Sequence, residues 1–218
     1  MLLDHVAKIN LNYSFSAIYI IFNAVGRIAF PIFAFCIIEG YVHTSNIKKY
    51  IIRLFWLFVF SEPFYDFAFC GENMFSQQNV FLTLVIGIIL ILFIDKLQKL
   101  CFNLKQSFLG TVLYIIFIYC ICVTGWFAGN FLKCDYLGAG IISIIIMYLL
   151  RQWKNVSVVI AVLFLIVTKV TSVYALLAVV PISLYNGDRG NINKWIFYIF
   201  YPVHLLILTV IDQILSLF

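Results

Sequence analysis

Apolar runs long enough to cross a bilayer follow one another along most of this chain. A helix needs about 20 predominantly apolar residues to traverse the hydrocarbon core. Candidate runs lie at roughly 15–42, 50–69, 79–95, 108–128, 136–150, 155–168, 170–185 and 195–217. The segments between them are too short to fold as a separate aqueous domain. Only 11% of the 218 residues are charged, against roughly 25% in a soluble domain. The sequence therefore predicts an all-α fold, a polytopic transmembrane helix bundle of about eight full spans, in a single integral membrane domain over 1–218. Its surroundings are membrane lipid.

The loops set the expected topology, because Lys and Arg concentrate on the cytoplasmic side. With Lys48, Lys49 and Arg53 inside, alternation puts Lys96, Lys99, Lys105, Arg151 and Lys154 inside as well. The loop carrying Arg189 and Lys194 is equally basic, so an even number of crossings must separate it from Arg151. That requires 155–185 to form a short hairpin turning near Lys169 rather than one long helix. The outer loops then hold Lys133 and Lys169 as their only basic residues. Counting backwards, Asp4 and His5 lie near the outer face, and MLL reads as the tail of a preceding helix whose front this sequence lacks.

Several function classes have no support. A Lys/Arg-rich arm, a Gly-rich phosphate loop and metal-spaced cysteines are all missing, which argues against nucleic acid as a partner and predicts no metal site. Cys36, Cys120 and Cys122 fall inside spans as small hydrophobes. Cys70 and Cys134 both fall in outer loops, which allows a disulfide without requiring one.

The residues that need explaining are the ionisable ones inside the runs. The stretch GRIAFPIFAFCIIEGY keeps Arg27 and Glu39 at membrane depth, where each charge is costly and marks a functional candidate. Arg27 either pairs with a carboxylate to fix packing or binds an anionic cofactor or substrate. Pro31, one turn later, removes a backbone hydrogen bond and bends the helix. Glu39 lies nearer the cytoplasmic end, where it is able to snorkel. Asp4 and His5 form an acid–imidazole pair at the outer edge; His5 suits general-base work, and an interfacial polar pair is the plainer alternative. Glu62 and Asp66 stand one helical turn apart, set to bind a cation or amine or simply to be wetted. His204, two residues after Pro202, is either a hydrogen-bonded packing imidazole or part of a site.

Read in order, DHV, GRIAFPIFAFCIIEGY, HTSNIKKYIIRL, NVFLTLVIGI, DYLGAGIISIII and YNGDRG with FYIFYPVHLL resemble the TraX family of membrane proteins over essentially the whole chain. The family is similar in layout to the wider transmembrane acyltransferase group. The resemblance implies a multi-pass protein of the bacterial cell membrane with acetyltransferase activity, since the family's namesake is the conjugation protein that N-acetylates pilin. In that comparison His5 matches the histidine of the first helix, Arg27 an arginine–proline motif, Glu39 a glutamate–glycine–tyrosine stretch and His204 a closing proline–histidine motif. The expected donor is acetyl-CoA, its phosphates near Lys48, Lys49, Arg53, Arg189 and Lys194 and its arm directed towards Arg27. The expected catalytic residues are His5, Asp4 and Arg27; Arg27, Glu39, His204 and Tyr201 are expected to hold the donor, with Arg27 or Tyr201 against the oxyanion. The acceptor is an amine or hydroxyl of a pilin-like peptide or cell-surface glycan. Two other readings fit the same polar residues. A transporter uses such residues as a pathway, although no inverted repeat is visible; an assembly protein uses them to hold helices together.

Overall fold

The computed structural model describes residues 1–10, 17–70, 76–100, 108–188, 190 and 194–215. In chain order the helices are α1 (Leu2–Asn10), α2 (Ala17–Arg27), α3 (Ala29–His43), α4 (Ile47–Phe69), α5 (Val80–Leu100), α6 (Phe108–Phe131), α7 (Leu137–Leu149) and α8 (Lys154–Thr168). A 3₁₀ segment, η1 (Val170–Ala178), then runs into α9 (Val179–Ser183), and α10 (Lys194–Leu215) closes the chain. Among the described residues there is no strand, only an isolated bridge between Gln78 and Cys134. The fold is all-α.

The apolar runs divide into two kinds. Ala17–His43, Val80–Leu100 and Phe108–Phe131 are long and apolar enough to cross a membrane. Leu137–Leu149, Lys154–Thr168, Val170–Ser183 and Tyr198–Ile214 are apolar but shorter. Of the about eight full spans expected, three among the described residues are helices of crossing length, and four others are shorter apolar helices. The reason is geometric: at 1.5 Å per residue a helix of 13–15 residues, such as α7 or α8, reaches only about 20–22 Å, short of a hydrocarbon core about 30 Å thick. Helix α4 has 23 residues, but Arg53, Glu62 and Asp66 interrupt its apolar character.

Helix α7 is the centre of the molecule. It packs against α3, α5, α6 and α8, and nearly every residue from Gly138 to Tyr148 is buried. Its close neighbours need glycine. A Cβ on Gly138 would sit 2.5 Å from the Trp126 carbonyl oxygen, and one on Gly129 would sit 2.7 Å from the Gly138 nitrogen. Two helices approach this closely only where side chains are missing. The contact fixes the loop that carries Asp135. By contrast α6 buries only glycines and turns Phe108, Ile115, Phe117, Tyr119 and Phe127 outward, a surface suited to lipid.

Two backbone features place the polar residues. An uninterrupted helix would bond the N–H of residue 31 to the Arg27 carbonyl, and Pro31 has no N–H to give. The run expected as one helix accordingly parts at Ile28, whose backbone stays helical (φ −65, ψ −28), so the break is a kink and Arg27 ends α2. Second, Lys169 is extended (φ −149, ψ 106) between α8 and η1, and the Lys154 ammonium at the start of α8 donates to the Tyr185 carbonyl at 2.8 Å. The segment is thus the hairpin that the basic loops demand.

At the other end of the bundle Tyr41 donates to Asp95 Oδ2 at 2.7 Å, and Tyr148 donates to Asp95 Oδ1. The Arg151 guanidinium lies over the Tyr148 ring, 4.3 Å from its centroid. One carboxylate therefore ties α3, α5 and α7. Asp95→Ala strips both buried tyrosines of their acceptor and is expected to cost about 1–3 kcal/mol. The check is a lower melting temperature in detergent; an unchanged one would mean that water replaces the carboxylate without loss.

Candidate functional site

Helix α1 lies against both α2 and α10, and its approach to α2 is unusually close. A Cβ added to Gly26 would meet Asp4 Cβ at 2.3 Å and Asp4 Cα at 2.9 Å. The absent side chain lets α1 settle on the end of α2, beside Arg27. Asp4, His5, Arg27, Tyr201 and His204 are all buried. Asp4 Oδ2 accepts from the Lys8 ammonium at 2.8 Å, one turn along α1. Its other oxygen, Oδ1, is buried without a hydrogen bond.

The two histidines meet across 199 positions of sequence, with His5 Nδ1 2.8 Å from His204 Nε2. The planes of their rings are parallel to within 1°. His204 Nδ1 lies 2.7 Å from the Phe200 carbonyl oxygen. A carbonyl only accepts, so His204 Nδ1 carries the proton and donates. In the neutral ring His204 Nε2 then has a free lone pair, and His5 Nδ1–H must be its donor. The remaining nitrogen, His5 Nε2, is left as a base. The chain Phe200 O, His204, His5 thus fixes a tautomer as well as a position. Tyr201 stands edge-on to both rings, with centroids 6.0 Å from His5 and 5.3 Å from His204, and Phe69 lies 5.3 Å from His5.

A pocket of about 420 Å³ opens between α1, α2, the end of α6, the loop before α7, and the α8–η1 turn. Lys8, Arg27 and Lys169 bring three cations to its wall, and Asp135 brings one carboxylate. Arg27 is 6% exposed, and its Nε is buried with no hydrogen-bond partner. Lys169 stands at the rim in the turn outside the helices. Desolvation there holds its ammonium below the ordinary lysine pKa, and the positive charges of Arg27 and Lys8 push the same way. Sequence reading missed Lys8 and Asp135, and treated Lys169 only as a topology marker. Lys8 was open to discovery as the i+4 partner of Asp4; Asp135 had no local signal.

Glu39 does not join this cluster. It lies 12 residues beyond Arg27, roughly 18 Å along the helix. There it faces His43, whose Nδ1 is 3.8 Å from Glu39 Oε2 and 2.9 Å from the Glu39 carbonyl oxygen. Both line a separate cavity of about 750 Å³ with Cys36, Tyr50, Arg53 and Tyr185. Lys49 and Arg53 line an adjoining cavity that shares Thr44 and Ser45. Of the other cations expected there, Arg189 lies outside the described residues, as does the side chain of Lys194.

Glu62 and Asp66 are buried rather than wetted. Glu62 Oε2 accepts from the Asn79 backbone N–H at 3.1 Å, while its Oε1 is unpartnered. Cys70 and Cys134 are both free thiols. Among the described residues no group of three or more His, Cys, Asp or Glu side chains is arranged to hold a metal ion.

Comparison with known proteins gives a consistent result. The chain is 27% identical over 230 residues to the "Probable fimbrial assembly protein FimC, serogroup H1" of Dichelobacter nodosus, covering 95% of this chain and 89% of that protein. No solved structure matches. The profile of the family described as TraX protein matches residues 1–212, nearly the whole chain, and the protein belongs to the TraX family.

Proposed function

We propose that the protein is a multi-pass acyltransferase of the bacterial cell membrane, crossing about eight times, which moves an acetyl group from cytosolic acetyl-CoA onto an amine or hydroxyl. The acceptor is a pilin-like peptide or a cell-surface glycan. The observation that carries this reading is the buried His5–His204 pair, which leaves His5 Nε2 unprotonated on the helix whose Asp4 packs against Gly26, next to the buried Arg27 in sequence. His5 Nε2 takes the proton of the acceptor N–H or O–H as that atom forms its new bond to the thioester carbonyl carbon. Arg27 offers positive charge to the developing oxyanion in a site of low dielectric. The carbon–sulfur bond then breaks, and His5 returns its proton to the departing thiolate. The cavity at Glu39, Tyr50 and Arg53 is the donor's entrance in this scheme, and its distance from Arg27 is the depth that the donor's arm must span.

A second reading, a non-enzymatic assembly protein, is favoured by the fimbrial relative's name. The two readings diverge in a simple measurement. Acetyl-CoA at 100 times its Kd is expected to stabilise an acyltransferase by about 2.7 kcal/mol, seen as a rise in the melting temperature of the purified protein in detergent. Free CoA should give a smaller rise. A melting curve that acetyl-CoA leaves unmoved would favour the assembly reading.

A further inference from the structure

The pocket lined by Lys8, Arg27, Asp135 and Lys169 enters the scheme above only through Arg27, and its charges do not balance. Lys8, Arg27 and Lys169 supply three positive charges; Asp4, which pairs with Lys8, and Asp135 supply two negative ones. Lys169 is exposed at the rim, whereas Arg27 lies deep in the wall, where a charge without a full set of partners is costly. Arg27 makes the deficit explicit. It is 94% buried by its 6% exposure, it lines the cavity, and its Nε finds no acceptor. Trp126 and Tyr136 give the cavity aromatic walls. It is also bordered by Asp135 and Lys169, which the loop charges assign to the outer side of the membrane.

We infer that this pocket is an oxyanion-binding site facing the outside, which holds a carboxylate or phosphate group of the molecule that is acetylated. The assignment of that molecule as the acceptor rests on the acyltransferase reading; the anion site itself does not. An oxyanion at the centre of the three cations neutralises the excess charge and gives Arg27 Nε its missing acceptor, and guanidinium groups suit both carboxylate and phosphate. Docking an acceptor by its anionic group places a neighbouring amine or hydroxyl towards His5, on α1 one turn from Lys8. The arrangement predicts that acceptors lacking a carboxylate or phosphate near the acetylated group are poor substrates.

The test needs no acetyl-CoA, so failure of the enzymatic reading does not obscure it. The full-length protein, purified in a neutral detergent, is melted in rising sodium phosphate or sodium acetate, with sodium chloride holding ionic strength constant. The expected result is a saturable rise in melting temperature with at least one of the two anions. A response to phosphate alone identifies a phosphoryl group, and one to acetate alone identifies a carboxylate. Lys169→Gln, at the exposed rim, should weaken the midpoint about tenfold or more, the loss expected from deleting one charged hydrogen-bond partner. Lys133→Gln, outside the pocket, should leave it unchanged. The inference is overturned if neither anion shifts melting beyond chloride, if Lys169→Gln keeps the wild-type midpoint, or if Lys133→Gln weakens binding equally.

Discussion

Replacing His5 with Ala is expected to lower acetyl transfer by a factor on the order of 10²–10⁴, the contribution of a positioned general base, while expression and membrane insertion stay normal. The expectation follows from the directions of three hydrogen-bonding groups. The Phe200 carbonyl fixes the proton on His204 Nδ1, His204 Nε2 then accepts from His5, and His5 Nε2 is the nitrogen left with a lone pair. His204→Ala should be milder, because it removes the group that sets the tautomer and leaves the base. Its loss should appear mainly in kcat, since His204 positions His5 and is not proposed to touch the acceptor. The measurement is mass-resolved acetylation of an acceptor peptide or glycan by purified protein. His5→Ala at wild-type rate would end the catalytic assignment. His204→Ala as severe as His5→Ala would show that the two rings act as one unit.

What could be read before the structure depended on how far apart in the chain the causes lay. The long apolar runs announced where α5 and α6 begin to within one residue and stopped short of their ends at Leu100 and Phe131, because hydropathy and length are local properties and polar end residues extend a helix beyond its apolar run. The turn at Lys169 was also legible, through a charge argument that needed only loop composition. The kink after Arg27 followed from Pro31. Hydropathy alone does not distinguish a helix bathed in lipid from one buried by its neighbours: α7 is as apolar as any of the long helices and is surrounded by protein. Glu39 was grouped with Arg27 because both sit in one conspicuous motif, although 12 residues of helix keep them roughly 18 Å apart. The meeting of His5 with His204, or of Arg27 with Asp135 in one pocket, was not legible, since such pairings are set by tertiary packing across most of the chain.

Packing at one glycine carries the second large effect. Gly26→Val should destabilise the protein by at least the 1–3 kcal/mol typical of an overpacked core and should depress transfer further than the stability loss accounts for. The clash is with Asp4 Cβ and Cα, so no rotamer change at Asp4 relieves it, and α1 as a whole has to move away from α2. His5 is the next residue on α1, and its 2.8 Å bond to His204 on α10 cannot lengthen by an ångström and remain a hydrogen bond. Gly26→Ala should show the same two losses on a smaller scale, because the first carbon already falls 2.3 Å from Asp4 Cβ. Comparing the pair at temperatures where both remain folded separates the effects. A Gly26→Ala protein that is folded, binds acetyl-CoA and transfers at the wild-type rate would mean that the seat of α1 on α2 does not govern the histidine pair. A folded variant with slowed transfer would place that seat among the determinants of activity, although Gly26 has no side chain with which to touch a substrate.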